Sequence, residues 1–175
     1  MAPDLRLITD PASGFADAMC ALAAGVVLVT SRVDDRPWGL TVTSFVSVSA
    51  DPSTVLVSLG SETASARAIT ATRRFGVSIL AEQQLDLARL CSAPGAPKFI
   101  EPYVDADDGS DAAPAVSDAL AHLDCELSQA IRIADHTLLV GLVRDARASR
   151  TGAPLLYHRR GYRRTNERTV ACLSS

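Results

Sequence analysis

The stretch Gly39–Leu59, GLTVTSFVSVSADPSTVLVSL, carries two threonines and three serines within the nine residues from Thr41 to Ser49, yet otherwise reads as a strand. Alternate residues of a strand face opposite sides. Thr41, Thr43, Phe45, Ser47 and Ser49 therefore share one face, and Leu40, Val42, Ser44, Val46 and Val48 share the other. One face is apolar except for Ser44; the other is hydroxylated except for Phe45. The wet outer face of an antiparallel sheet accounts for this pattern, and threonine favours strands anyway. A surface strand normally carries Lys, Glu or Arg, however, and no charge occurs from Gly39 to Ala50. Uncharged hydroxyls beside backbone amides suit a ligand rich in oxygens and ring nitrogens, because they donate or accept and let the backbone approach closely. Both readings stand on these residues alone.

Outward from this stretch, strands dominate. Asp51-Pro52 breaks the first run, and Ser53–Leu59 (STVLVSL) is a strand so apolar that burial on both faces is expected. Upstream, Val26–Arg32 (VVLVTSR) is β-branched, and Val33–Pro37 (VDDRP) is a turn by composition. Phe15, Met19 and Leu22 recur at helical spacing from Gly14 to about Ala24, where Gly25 can close the helix. Downstream, Ser61–Arg74 is an alanine-rich helix with Ser61 as the expected N-cap. Phe75–Leu80 is a strand and Glu82–Ser92 an amphipathic helix. A long Pro-, Gly-, Asp- and Ala-rich connection follows, of the kind that is usually functional or mobile. Ala121–Ile133, His136–Ala148 and a short last strand in Ala153–Arg164 complete the chain. Short turns between strands imply antiparallel pairing. The predicted class is mainly β, a barrel or closed sheet with flanking helices packed outside. The expected division is a leader at 1–12, one domain at 13–165 and a tail at 166–175.

At 175 residues and 47% apolar composition, one domain can build a substantial core. A net charge of −3 argues against nucleic acid as the main partner. The basic residues are nonetheless uneven: Tyr157–Arg168 holds five arginines, a solvated tail or a local anion-binding surface. Cys20, Cys91, Cys125 and Cys172 show no metal-ligand spacing, and His122, His136 and His158 are far apart, so no metal site is expected. With no secretory n-region and no long apolar segment, a cytoplasmic protein with reduced thiols and no membrane association is expected. Ser61, Thr63 and Ser65 fall where a helix begins, and free N–H groups there can hold a phosphate as well as be capped.

These parts together resemble the short-chain NAD(P)H:flavin oxidoreductases, the flavin reductase-like proteins with an FMN-binding split β-barrel that supply reduced flavin to two-component monooxygenases. The resemblance runs from about Phe15 to Tyr162. It rests on AAGVVLVTS (Ala23–Ser31), the Gly39–Leu59 run, SARAITATRRFGVSIL (Ser65–Leu80), Lys98-Phe99, LDCELSQAIRIADHTLLVGLV (Leu123–Val143) and PLLYHRRGY (Pro154–Tyr162). It implies a homodimer whose barrels each bind FMN or FAD near the subunit interface and take hydride from NADH or NADPH. By similarity, Thr41, Val42, Thr43 and Ser44 border the isoalloxazine. Ser47, Val48 and Ser49 lie toward the ribityl and phosphate, and Ser58, Leu59 and Ser65 shape the phosphate end. Lys98 and Phe99 approach from the long loop, and His158 lies near the nicotinamide or flavin. Arg159, Arg160 and Tyr162 assist a dinucleotide phosphate. The acidic EPYVDADDGSDA segment (101–112) and the arginines after Tyr162 depart from the pattern.

The implied reaction needs little acid–base chemistry, since the flavin carries the hydride step and the protein supplies stacking and orientation. That agrees with a sequence in which no Ser-His-Asp or Cys-His arrangement is evident. The alternatives are a dedicated oxidoreductase holding its flavin tightly, and a non-enzymatic flavin carrier or sensor.

Overall fold

The computed structural model describes residues 11–106 and 111–165; the expected leader at 1–12, the tail at 166–175 and Cys172 lie wholly or largely outside them. Helix α1 (Pro11–Cys20) precedes a two-residue strand β1 (Ala24–Gly25). Then come β2 (Val27–Val33), β3 (Arg36–Val42), β4 (Phe45–Ala50), β5 (Ser53–Gly60), α2 (Ala64–Thr72), β6 (Arg74–Ile79) and α3 (Leu85–Ser92). Two long strands, β7 (Ala121–Ile133) and β8 (His136–Ala148), and a short hairpin, β9 (Leu156–His158) and β10 (Gly161–Arg163), complete it.

Seven strands form one antiparallel sheet in the order β3-β2-β6-β7-β8-β5-β4, and β1, β9 and β10 form a second small sheet. The two edges of the large sheet, β3 and β4, are consecutive in sequence and linked only by Thr43-Ser44. The sheet thus curls into a barrel left open along one seam, which is the split barrel expected.

That seam corrects the reading of the opening stretch. Gly39–Ala50 is not one strand: the two-residue link shifts the phase of the alternation. Leu40, Val42 and Phe45 all pack against the interior, whereas Val46 and Val48 are 51% and 56% exposed. The expected burial of β5 on both faces is corrected too. Val55, Val57 and Leu59 are buried inside the barrel, while Thr54, Leu56 and Ser58 are half-buried on its outer side.

The interior core joins these residues to Val27, Val29, Phe75, Val77, Leu127 and Leu139. Gly141 is required there, because a β-carbon would meet the Phe75 ring at 2.4 Å. Ala66 and Ile69 of α2 belong to the same cluster, so α2 packs onto the core instead of lying outside as expected. A second core lies outside the barrel, where Leu28, Leu80 and Val26 meet Leu87, Ala88 and Cys91 of α3 together with Ile100 and Leu155.

Turn chemistry fixes the hairpins. Asp34 and Asp35 both have positive φ, 51° and 59°, as a type I′ turn between β2 and β3 demands. The N-cap of α2 is Thr63 and not Ser61. The Thr63 hydroxyl donates to Gly60 O (2.8 Å) and accepts from Ala66 N (3.2 Å), while Ser61 Oγ pairs with Thr137 Oγ1 (2.8 Å) on β8. The long connection closes β3: Gly39 N donates to Lys98 O (3.0 Å) and Ile100 N to Pro37 O (3.0 Å). The strand edge is covered in this way.

Candidate functional site

The seam brings some of the expected residues together and separates others. Thr41 turns to the outer layer, where its hydroxyl donates to Ala88 O of α3 at 2.9 Å. Val42 points into the core. Thr43 is exposed at the link, and no hydrogen-bond partner for its hydroxyl occurs among the described residues. Ser44 is stitched to Ser58 twice: Ser44 Oγ donates to Ser58 O at 2.6 Å, and Ser58 N donates to Ser44 O at 3.0 Å. This pair ties the start of β4 to β5 and fixes the direction in which the chain leaves the link.

Further along β4, Ser47 is exposed and its hydroxyl has no hydrogen-bond partner among the described residues, and Val48 sits at a register shift between Ser47 and Ser49. Ser49 Oγ donates to Asp51 O at 3.1 Å. The five hydroxyls therefore do not form one row. Three serve the backbone, and Thr43 and Ser47 remain open to a ligand. Leu59 lies in the core, 1% exposed, and acts only through shape.

At the start of α2, Ser65 is fully buried, and its Oγ has no hydrogen-bond partner among the described residues. A buried hydroxyl without a partner is costly and marks a place where one is missing. Thr63 has already satisfied the N–H of Ala66 in the same turn.

Lys98 and Phe99 lie on the other side of β3. Lys98 Nζ donates to Ala93 O at 2.7 Å. The Phe99 ring meets Trp38 edge-on at 4.9 Å between centroids, with the Arg36 guanidinium 3.7 Å from its own centroid. Arg36 in turn donates to Glu101 Oε1 at 2.6 Å. The pair is thus built into the loop that covers β3, with its long side chains already engaged.

The β9–β10 hairpin supplies the remaining residues. His158 is half-buried opposite Gly161. Tyr162 packs edge-on against Tyr157 at 5.4 Å, and its hydroxyl lies 3.3 Å from Ala88 O and 3.4 Å from Ser92 Oγ. Tyr162 therefore anchors the hairpin to α3 and is turned away from the turn that carries Arg159 and Arg160. Those two arginines line a cavity of about 290 Å³ together with Thr43, Tyr157, Met19 and Leu22. Sequence reasoning missed Tyr157 and the α1 residues as neighbours of Thr43, because nothing in local spacing says that a helix upstream of two strands returns to the link that follows them.

No group of three or more metal-ligating side chains occurs among the described residues, and no described helix is long and apolar enough to cross a membrane. Burial holds His122 below the usual histidine range; Asp124, Asp105 and Asp145 oppose that shift and Arg147 reinforces it. His122 sits on the outer face of β7, with Nδ1 2.9 Å from Ser78 Oγ, away from the seam residues.

Comparison with known proteins gives a consistent picture. Residues 19–166 match the family described as flavin reductase like domain. An NADH:riboflavin 5′-phosphate oxidoreductase of Streptomyces pristinaespiralis is 36% identical over 159 residues, 90% of each chain. The reductase component of a 4-nitrophenol 4-monooxygenase/4-nitrocatechol 2-monooxygenase of Rhodococcus opacus is 34% identical, covering 83% of this chain and 76% of that protein. Among solved structures, the NADH:FAD oxidoreductase SgcE6 of Streptomyces globisporus, in complex with NAD and FAD fragments, superposes with a TM-score of 0.83 at 28% identity. It covers 94% of this chain and 99% of its own.

Proposed function

This chain belongs to the flavin reductase-like family, and on that premise we propose that it is an NAD(P)H:flavin oxidoreductase that reduces FMN or FAD and supplies the reduced flavin to a partner monooxygenase. The observation that carries the reading is the seam. The two sheet edges part at Thr43-Ser44, and the uncharged hydroxyls there, on Thr43 and Ser47, have no hydrogen-bond partner among the described residues. The donor set fits a flavin, whose ring edge and ribityl chain offer oxygens and nitrogens to small hydroxyls and to backbone groups.

When bound, the flavin supplies a ring that accepts hydride from a dihydronicotinamide. The protein's part is placement. Thr41, Val42, Thr43 and Ser44 border the ring, the first and last through their backbone because their hydroxyls are already used. Ser47, Val48 and Ser49 follow the ribityl chain. Ser58, Leu59 and Ser65 shape the phosphate end; Ser65 Oγ, fully buried and without a partner among the described residues, can donate there once ligand binding shifts the first turn of α2. His158 faces the nicotinamide side, and Lys98-Phe99 holds the loop that closes β3. No side chain has to exchange a proton with the reacting atoms, so rate comes from orientation.

The functional unit we propose is a homodimer. The outer face of β4, β5 and β8 carries Val46, Leu56 and Val140 in register, with Leu142 beside Val140 on β8, and Ile131 opposite Leu138 and Ile133 55% exposed on β7. Apolar side chains clustered on an exposed sheet face in this way favour burial against a second copy.

The deciding experiment is NADH and NADPH oxidation under air with FMN, FAD or riboflavin added in turn. Turnover that requires added flavin is expected. A protein that binds flavin but turns over neither nucleotide refutes the reductase reading and favours a carrier.

A further inference from the structure

One backbone carbonyl of α3 is shared by two elements that border the seam. Ala88 O accepts the Thr41 hydroxyl of β3 at 2.9 Å and the Tyr162 hydroxyl of β10 at 3.3 Å. The two donors stand 47 residues before and 74 residues after Ala88 in the chain. Ala88 itself is fully buried in the core outside the barrel, so the acceptor is held by packing on every side.

Each donor leads to a different wall of one cavity. From Thr41, two residues along the chain reach Thr43, which lines the cavity of about 290 Å³. From Tyr162, the link passes through its ring. Tyr162 is the cross-strand neighbour of Tyr157 and meets it edge-on at 5.4 Å. Tyr157 lines the same cavity. The seam wall and the β9 wall are thus fastened to a single atom.

Building on the reading above, we propose that Thr41 and Tyr162 are positioning residues of flavin reduction: through Ala88 O their hydroxyls fix the separation of Thr43 and Tyr157, and with it the alignment of the hydride donor against the flavin. Neither hydroxyl touches a ligand in this role. Hydride transfer depends steeply on distance and angle, whereas affinity is summed over many contacts. Loss of either hydroxyl therefore releases one wall and acts on the transfer step more than on binding.

The test uses the full chain and the variants Thr41→Val, Thr41→Ser, Tyr162→Phe and Thr41→Val with Tyr162→Phe. Valine keeps the shape of threonine, and phenylalanine keeps the ring against Tyr157, so each substitution removes only a hydroxyl. Anaerobic stopped-flow mixing of NADH with the FMN-loaded protein gives the transfer rate, and deuterium at the transferred position of NADH identifies that step by its isotope effect. We expect each single loss to slow transfer about tenfold, with FMN Kd and KM for NADH within about twofold of wild type. Thr41→Ser should restore most of the rate. The double variant should lose about as much as either single one, because both walls depend on one anchor. Tyr162 Oη also lies 3.4 Å from Ser92 Oγ, and Ser92→Ala should leave the rate unchanged.

Amide hydrogen exchange of the flavin-free protein reads the anchor without the reaction. Tyr162→Phe should speed exchange in β9 and β10, and Thr41→Val at the end of β3. Exchange that does not change overturns the proposal. So does a transfer rate that stays at the wild-type value, which makes the two bonds structural only. Weaker FMN or NADH binding with transfer intact overturns it as well, by making the hydroxyls ligand contacts. Multiplying losses in the double variant, or a loss in Ser92→Ala equal to that in Tyr162→Phe, overturn the shared anchor. A wild-type chain that reduces no added flavin, with exchange responding as expected, refutes the reductase reading and leaves the anchor standing.

Discussion

Replacing Ser65 by alanine should make the ligand-free protein more stable. Ser65 is 0% exposed in the first turn of α2, and its hydroxyl is a buried polar group with no partner among the described residues. Leaving such a group unsatisfied costs about 1–3 kcal/mol. Alanine removes that cost, keeps the β-carbon packed beside Ala66, and improves helix propensity by about 0.5 kcal/mol. The net gain is therefore about 1.5–3.5 kcal/mol. For a domain of this size each kcal/mol is worth about 2–4 °C in Tm. Calorimetry of the flavin-free protein measures this directly. The same hydroxyl is assigned to the phosphate end of the flavin site, so the substitution should act oppositely on binding. FMN affinity should fall roughly ten- to a hundred-fold, as expected for one charge-assisted hydrogen bond, while riboflavin affinity should hardly move. A lowered Tm in the free protein would show that Ser65 Oγ is satisfied after all. A raised Tm with an unchanged FMN-to-riboflavin ratio would make Ser65 a packing residue and remove it from the site.

Other outcomes follow from particular contacts. Gly141→Ala puts a β-carbon 2.4 Å from the Phe75 ring, so it should cost about 1–3 kcal/mol or more, read as a lower midpoint in urea with little change in slope. Burial lowers the His122 pKa below its ordinary 6.5. The unfolded chain then takes up a proton that the folded chain resists, so stability should fall as pH drops through about 6.5 toward the lowered folded value; His122→Gln should flatten that part of a Tm-against-pH curve, and a parallel curve would refute the assignment. Burial pushes the Cys91 and Cys125 thiols up to about 12. Both should resist alkylation at pH 8 in the native protein and react after denaturation, as mass spectrometry of the labelled peptides would show. Thr43→Val changes an exposed hydroxyl that has no partner among the described residues, so stability should stay within about 0.5 kcal/mol of wild type while flavin affinity falls. Ser44→Ala should lower both, because Ser44 Oγ holds Ser58 O.

Much of the architecture is legible in the letters. β-Branched runs such as Val26–Arg32, the Asp34-Asp35 turn and the alanine-rich segment after Gly60 each have a local physical cause, and each forms the element that cause predicts. The family resemblance is carried by the Gly39–Leu59 run for the same reason. What local chemistry determines is the kind of element and the residue types available to a ligand: uncharged hydroxyls, a helix start and two adjacent arginines. Which way each side chain points was decided by long-range pairing. Thr41 shares its alternation face with Thr43 and Ser44 follows Thr43 directly, but Ala88 O and Ser58 O claim the Thr41 and Ser44 hydroxyls from 47 and 14 residues away. The apolar alternation of Gly39–Ala50, which on paper has exceptions only at Ser44 and Phe45, changes phase at Thr43-Ser44, because that link must carry the chain from one edge of a seven-stranded sheet to the other. Thr63 and not Ser61 caps the helix because the helical turn begins at Ala64, while the Ser61 hydroxyl pairs with Thr137 of β8. Likewise, Arg159 and Arg160 become walls of a cavity with Thr43 only once Cys20 draws the hairpin turn onto α1. Periodicity and turn chemistry act over a few residues, and the sequence alone determines what they control; the free hydroxyls, the orphaned Ser65 and the arginine-lined cavity depend on partners distant in the chain, which tertiary packing alone brings into reach.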